Sequence, residues 1–399
     1  MSETRTWLEW SARYHTPNYS RPPICLVRGE GVRVWDSEGR EYLDFTSGIA
    51  VTALGHCHPR VTGAIQEAAK TLLHVSNLFH NAPQAHLARL LCEHSFADRV
   101  FFCNSGAEAN EAAFKLARKY AKERYASDRY EIIATRGSFH GRTLAAVTAT
   151  GQEKYQHGFE PLVPGFKHVP YNDLRAMERA IDSRTAAVIV EPVQGEGGVR
   201  VPDDDYLPGL RKLCDAAGVL LILDEVQTGV GRTGRLWAHQ WSGVEPDIMT
   251  LAKALANGIP VGAMLAREEV ARALTPGSHA STFGGTPFVM SVALAVMTTV
   301  IGERIPERAE RTGRLLIEGL RELAARRPVV REVRGRGLLI GVELDRPAES
   351  VVEGCREAGL LVLTAGERVL RLAPALIVEP SDCERALAIL DGVLARAGR

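Results

Sequence analysis

Six short apolar runs, separated by helix-like stretches, limit what this chain can fold into. They are RVFFC (99–103), EIIAT (131–135), AAVIV (186–190), VLLIL (219–223), DIMTL (247–251) and VGAMLA (261–266). Each has strand length and lacks the polar alternation of a sheet with one wet face, so each is expected to be buried on both sides. Between the first two lies AEANEAAFKLARKYAKERYA, where Ala113, Leu116, Ala117 and Tyr120 recur as one apolar helical face. Strands of this kind joined by helices predict an α/β fold with a mainly parallel sheet covered on both sides.

The two ends read differently. GEGVRVWDSEGREYLDF near the start is hairpin-like, with turn chemistry at Asp36-Ser37-Glu38-Gly39. From about Pro287 a long helical stretch leads to Arg327. VREVRGRGLLIGVEL and GLLVLTAGERVLRLAPAL follow it and read as strands of a smaller α+β unit. At 399 residues the chain is too long for one ordinary core. The expected division is a large domain over 50–288, with 1–49 and 289–399 packing together as a small one.

Composition narrows the partners. With 48 basic and 48 acidic residues the chain lacks the electrostatic footprint of a nucleic-acid or membrane-surface binder. No apolar run approaches the ~20 residues needed to span a bilayer. MSETRTWLEWSARYHTP has no basic segment leading into an apolar one, so no secretory leader is read there. The seven cysteines are scattered and free of CxxC, as expected of reduced thiols in a cytoplasmic protein. His56 and His58 flank Cys57, but no second ligand cluster accompanies them, and no metal is expected.

In an open parallel sheet, ligands bind beyond the carboxyl ends of the strands. Five segments deliver polar groups there: Asn104-Ser105-Gly106-Ala107, Gly137 to Arg142, Glu191 with the QGEGG loop, Asp224 to Gln227, and Lys253. Each has an ordinary explanation alone. Asn104 or Ser105 can be a plain helix cap, Asp224 a structural ion pair, Lys253 a snorkelling surface lysine, and Phe139 core. Together they match the needs of an aldehyde cofactor with a phosphate tail and a ring nitrogen. Such a cofactor needs a lysine to condense with the aldehyde, a helix start for the anion, an acid opposite the nitrogen and an aromatic over the ring. That cofactor is pyridoxal 5′-phosphate. GVGRTG (229–234) also fits a dinucleotide fingerprint, but it stands off the strand–turn–helix context that gives the motif meaning.

At these residues the sequence resembles the class III aminotransferases. WDSEGREYLDFTSGIAVTALGHCHP, NSGAEANEAAFKLAR, FHGRT, EPVQGEGG, LILDEVQTGVGRTG, LAKALANGIPVGA and STFGGTP carry the likeness, in family order and nearly end to end. Within the family, GIAVTALGHCHP, HVSNLF and FHGRT are most similar to the acetylornithine aminotransferases. The resemblance implies the fold-type I architecture and a homodimer with active sites at the subunit interface. It implies amino transfer from N-acetylornithine to 2-oxoglutarate, with ornithine, succinylornithine, 4-aminobutyrate or a modified lysine precursor as alternative donors, and a pyridoxal-phosphate aminomutase as a further alternative.

It also implies roles. Lys253 binds the aldehyde and shuttles protons; Asp224 keeps the ring nitrogen protonated. Phe139 and Val226 sandwich the ring, and Gln227 bonds its 3′-oxygen. Gly106 and Ala107 bind the phosphate. Thr282 reaches the phosphate, and Ser281 the substrate, from the other subunit. Arg142 and Arg371 bind substrate carboxylates, with Glu196 as the partner of Arg371. Tyr19 matches a substrate-binding tyrosine of the related ornithine aminotransferases.

Overall fold

A computed structural model describes residues 3–125 and 128–397. Its centre is a seven-stranded sheet with the order 99–103, 262–266, 248–251, 220–224, 185–190, 131–135, 166–169. All six apolar runs are strands of this sheet. Five of them run parallel; Gly262–Ala266 is antiparallel to both its neighbours. The seventh strand, Phe166–Val169, pairs parallel with Glu131–Thr135 at the sheet edge. It is mostly half-buried and carries Lys167 and His168, so it lacks the apolar signal of the central strands.

The helix Gly106–Tyr125 buries Ala109, Asn110, Ala112, Ala113, Phe114, Leu116 and Ala117. Small residues on that face let the helix lie close to the sheet. Asn110 is the exception in the row: a polar side chain, 1% exposed, which must find partners or cost free energy.

Leu26–Glu30, Arg33–Asp36 and Glu41–Asp44 form an antiparallel meander, and Leu360–Leu361 joins it in parallel through Leu43 and Asp44. The two ends of the chain thus share one sheet. The turn at Asp36 is held by its own carboxylate, which accepts the amides of Glu38 and Arg40 at 3.0 and 2.9 Å. A third sheet is built from Val330–Arg336, Leu339–Leu344, Val369–Leu372 and Leu363–Thr364.

Pro287–Gly302 is apolar all round, which is the composition of an enclosed helix. It packs on the helices Pro59–Thr71 and Ala82–Glu93, in the chain that precedes it. After a bend of 65° the helix Ile305–Arg326 packs on the strand Val330–Arg336 instead. The change of packing partner thus falls after Gly302. Among the described residues no single helix is long and apolar enough to cross a membrane.

Candidate active site

The strand Leu220–Asp224 is fully buried and ends on a carboxylate. Asp224 is 3% exposed, and among the described residues no lysine or arginine pairs with it. Its Oδ2 accepts from Asn110 Nδ2 at 2.8 Å and lies 2.7 Å from His140 Nδ1; its Oδ1 accepts the amide of Val226 at 3.0 Å. Asn110 is oriented in turn, donating also to the His140 carbonyl and accepting from Thr250 Oγ1 at 2.7 Å. An ionised carboxylate buried this way is tolerable only with such bonds and a nearby positive charge.

Lys253 opens the short helix Lys253–Ala256 just beyond the strand Ile248–Leu251. Its φ of +40° is rare for a residue with a Cβ and is strain of the kind that persists at functional sites. Asn257, at φ +49°, closes the turn and ties it across to the Leu54 amide and the Gly55 carbonyl. Burial pushes the Lys253 amine below its usual pKa and Arg371 adds to that, while Glu196, Asp224 and Glu191 oppose it.

Both residues face one cavity of 390 Å³. Gly106, Ala107, Phe139, Arg142, Glu196, Val226 and Gln227 line it too. Arg142 is exposed and stacks its guanidinium 4.1 Å over the Tyr155 ring, which meets Phe139 edge-on. Arg371, 3% exposed, lies behind the wall. Its Nη1 donates to Glu196 Oε1 at 2.5 Å and to Gln227 Oε1 at 3.3 Å, and Gln227 Nε2 donates to Glu196 at 3.2 Å. Burial would raise the Glu196 pKa, but Arg371 and Lys253 outweigh it and hold the carboxyl below its usual range.

Glu191, in the same wall, accepts the amide of Phe139 at 2.9 Å and that of Gly195 at 3.1 Å. Burial, with Asp224 adding to it and His140 opposing, pushes its pKa up to about 7. One carboxyl therefore anchors both the Phe139 segment and the loop that carries Glu196.

The floor suits an anion with a flat ring above it. Ser105 caps the helix, accepting the Glu108 amide at 3.2 Å, while the Glu108 carboxylate reaches back to the Asn104 amide. The amides of Gly106 and Ala107 have no acceptor among the described residues, as an anion site at a helix start requires. A Cβ at Gly106 would lie 2.7 Å from Val226 Cγ1, and one at Gly141 2.7 Å from Ala107 Cβ, so glycine keeps the floor open. The carboxylate of Asp224, with no lysine or arginine partner among the described residues, suits a protonated ring nitrogen. These features fit pyridoxal phosphate. Among the described residues no cluster of three metal-ligating side chains occurs.

Four residues expected at the site do not line the cavity, Arg371 behind its wall among them. Tyr19 is 66% exposed and stacks against Arg21, in a segment without regular structure. Thr282 is exposed. Ser281 is at the rim, its Oγ accepting from Asn104 at 3.3 Å and from the Gly284 amide at 2.9 Å. Two residues the sequence reading left without a role, Asn110 and His140, hold Asp224. Asn110 carried a legible signal, a polar side chain on an otherwise apolar helix face.

Comparison with known proteins agrees with this geometry. The family model described as "Aminotransferase class-III" matches residues 14–394. The chain is 50% identical to an acetylornithine aminotransferase of Caldanaerobacter subterraneus, over 97% of this chain and 98% of that protein. It is 52% identical to the same-named protein of Gloeobacter violaceus, over 95% of each. Its fold superposes with a TM-score of 0.96 on an ornithine aminotransferase of Toxoplasma gondii whose active site was found partly occupied by PLP, at 37% identity, covering 98% of this chain and 94% of that one. With nearly its whole length matched, the chain belongs to the class III aminotransferases.

Proposed function

We propose that the chain transfers the terminal amino group of N-acetylornithine to 2-oxoglutarate with pyridoxal 5′-phosphate as cofactor, as a cytoplasmic homodimer. The observation that carries this reading is the convergence of Lys253, Asp224 and Glu196 on one cavity, with Arg371 paired to Glu196 behind the wall. About half of the sequence is shared with proteins named for the acetylornithine reaction.

When bound, the cofactor supplies an aldehyde to carry the amino group and a ring that withdraws electrons from the reacting carbon. The Gly106 and Ala107 amides would hold its phosphate, Phe139 and Val226 the two faces of its ring, Gln227 its 3′-oxygen, and Asp224 its nitrogen. Asn110 and His140 keep Asp224 aimed. Lys253, its pKa lowered by burial, is more readily neutral and so able to take up and return a proton at Nζ. Arg142 at the mouth and Arg371 behind the wall bind substrate carboxylates. Glu196 screens Arg371 when the substrate presents none beside its reacting carbon.

The second subunit is inferred from the surface beside the cavity. Asn77 donates to the carbonyls of Ser281 and Gly284, and His74 packs against Phe283, which joins two loops. They expose Leu72, Leu73, Leu78, Phe79 and Phe283, with Leu78 81% exposed. An apolar surface of this kind is an interface feature, and Thr282 lies within it. The deciding experiment is a donor panel with 2-oxoglutarate, ranked by kcat/KM. N-acetylornithine should lead ornithine, succinylornithine and 4-aminobutyrate; preference for another donor would overturn the substrate.

A further inference from the structure

GVGRTG, Gly229–Gly234, is not a dinucleotide site in this fold, and the cavity does not use it. It follows Gln227 closely and lies between the cofactor-binding strands and the C-terminal sheet. Gly231 and Gly234 both have φ of +90°, so the backbone turns sharply on either side of Arg232. That side chain is driven inward to 1% exposure. Its Nη1 donates to the carbonyl of Leu338 at 3.1 Å and to that of Pro374 at 2.5 Å. Its own carbonyl accepts the Leu338 amide at 3.0 Å. The backbones touch here: a Cβ on Gly337 would lie 2.4 Å from the carbonyl carbon of Thr233.

Leu338 sits in the turn between the strands Val330–Arg336 and Leu339–Leu344. Pro374 lies just past the strand Val369–Leu372, which carries Arg371. One guanidinium therefore ties the chain that has just supplied Asp224, Val226 and Gln227 to the end of the strand that supplies Arg371. Stability alone does not call for arginine at this place. Nε and Nη2 are buried without a hydrogen-bond partner among the described residues. Burial and the like charge of Arg371, partly offset by Asp44, hold the Arg232 pKa down at about 9. An apolar side chain of similar volume would fill the space at less cost, but it would not make the tie.

We propose that Arg232 is the positioning residue for Arg371, fixing the distance between the carboxylate-binding arginine and the cofactor residues and so setting how well the site holds a dicarboxylate. This rests on the aminotransferase reading, in which Arg371 takes a substrate carboxylate.

The test compares holoenzymes of the wild type, Arg232→Met and Arg232→Lys. Two quantities are measured: the Kd of glutarate, a dicarboxylate with nothing to react, and single-turnover rates with glutamate and with N-acetylornithine separately. A displaced binding group of this kind costs about tenfold or more. Arg232→Met should therefore weaken glutarate and slow the glutamate half-reaction by about that factor, with less than about threefold change for N-acetylornithine. Arg232→Lys, which keeps a donor for the Pro374 carbonyl, should recover part of the loss. Unchanged glutarate affinity, or equal slowing of both half-reactions, overturns the proposal. If Arg232→Met does not fold, Arg232→Lys decides by the same split, and equal effects on both substrates again overturn it. Failure of the wild type itself to bind glutarate or accept the amino group of glutamate would instead remove the aminotransferase reading of Arg371.

Discussion

Glu196 in the cavity wall and Arg371 behind it form a pair at 2.5 Å, and Gln227 bonds to both. The glycines of the QGEGG loop let that carboxylate approach: a Cβ on Gly195 would lie 2.2 Å from Gln227 Oε1. The two substrates need opposite states of this pair. 2-Oxoglutarate presents a carboxylate beside its reacting carbon, and the terminal amine of the donor does not. Glu196→Ala leaves Arg371 uncompensated in a buried wall, a change on the order of 3–5 kcal/mol when one partner of a desolvated pair is removed. The half-reaction with N-acetylornithine should slow much more than that with glutamate, as read by stopped-flow single turnovers. Equal slowing would make Glu196 a scaffold residue.

Lys253 carries two predictions in one residue. Borohydride reduction of the wild-type holoenzyme should fix the cofactor covalently to the peptide containing Lys253, detectable by mass spectrometry. Lys253→Ala should retain cofactor through the helix start and ring contacts but lose turnover by roughly several orders of magnitude. A modified peptide elsewhere, or near-normal turnover in the variant, would contradict the assignment.

Asp224 is held by Asn110 and His140, so its charge and its aim can be separated. Asp224→Asn removes the charge, and a charge-assisted bond is about twice as strong as a neutral one. The expected result is a large fall in kcat with modest change in donor KM. His140→Ala removes an aiming partner and should give a smaller fall of the same kind. A change only in unfolding midpoint would mean that the cluster is structural.

Glu191 predicts a pH slope in stability. Its carboxyl titrates at about 7 when folded, against 4.5 for an ordinary glutamate, so the folded state holds this proton more tightly. Its favourable contribution is full below about pH 4.5, declines as pH rises through the interval and is gone above about 7. The whole effect is roughly 3 kcal/mol. Glu191→Gln removes the slope. Its unfolding midpoint should therefore gain on the wild type between pH 5 and pH 8; a constant difference between the two proteins would refute the shifted carboxyl.

Thr282 is exposed and off the cavity of its own subunit, so its proposed role needs a second copy. Mixing inactive Lys253→Ala chains with Thr282-defective chains should restore part of the activity, because one site of each heterodimer has both groups. No recovery after verified subunit exchange would place Thr282 outside the site.

The sequence announced the strand ends and the residues on them because both follow from local pattern: an apolar run, then a charge. The direction of Gly262–Ala266 was not legible, since a strand buried on both faces has the same composition whichever way it pairs. Phe166–Val169 was hidden by its half-buried edge position. His140 was visible as a residue, but its partner Asp224 is distant in sequence, and no local pattern encodes that pairing. Arg232 was masked in the same way, since its acceptors at Leu338 and Pro374 lie far down the chain.

Leu43 is translated early and its sheet partner Leu360 late. At 5–20 residues per second, roughly tens of seconds separate their emergence from the ribosome. For that interval the strand Glu41–Asp44 has an unpaired edge, and Leu43 and Phe45, both 0% exposed in the finished protein, lack their final cover. Open edges and uncovered apolar side chains on a nascent chain are what holding chaperones bind and what neighbouring chains aggregate through. The meander over residues 26–44 thus gains its last strand only after almost all the rest of the chain has been made.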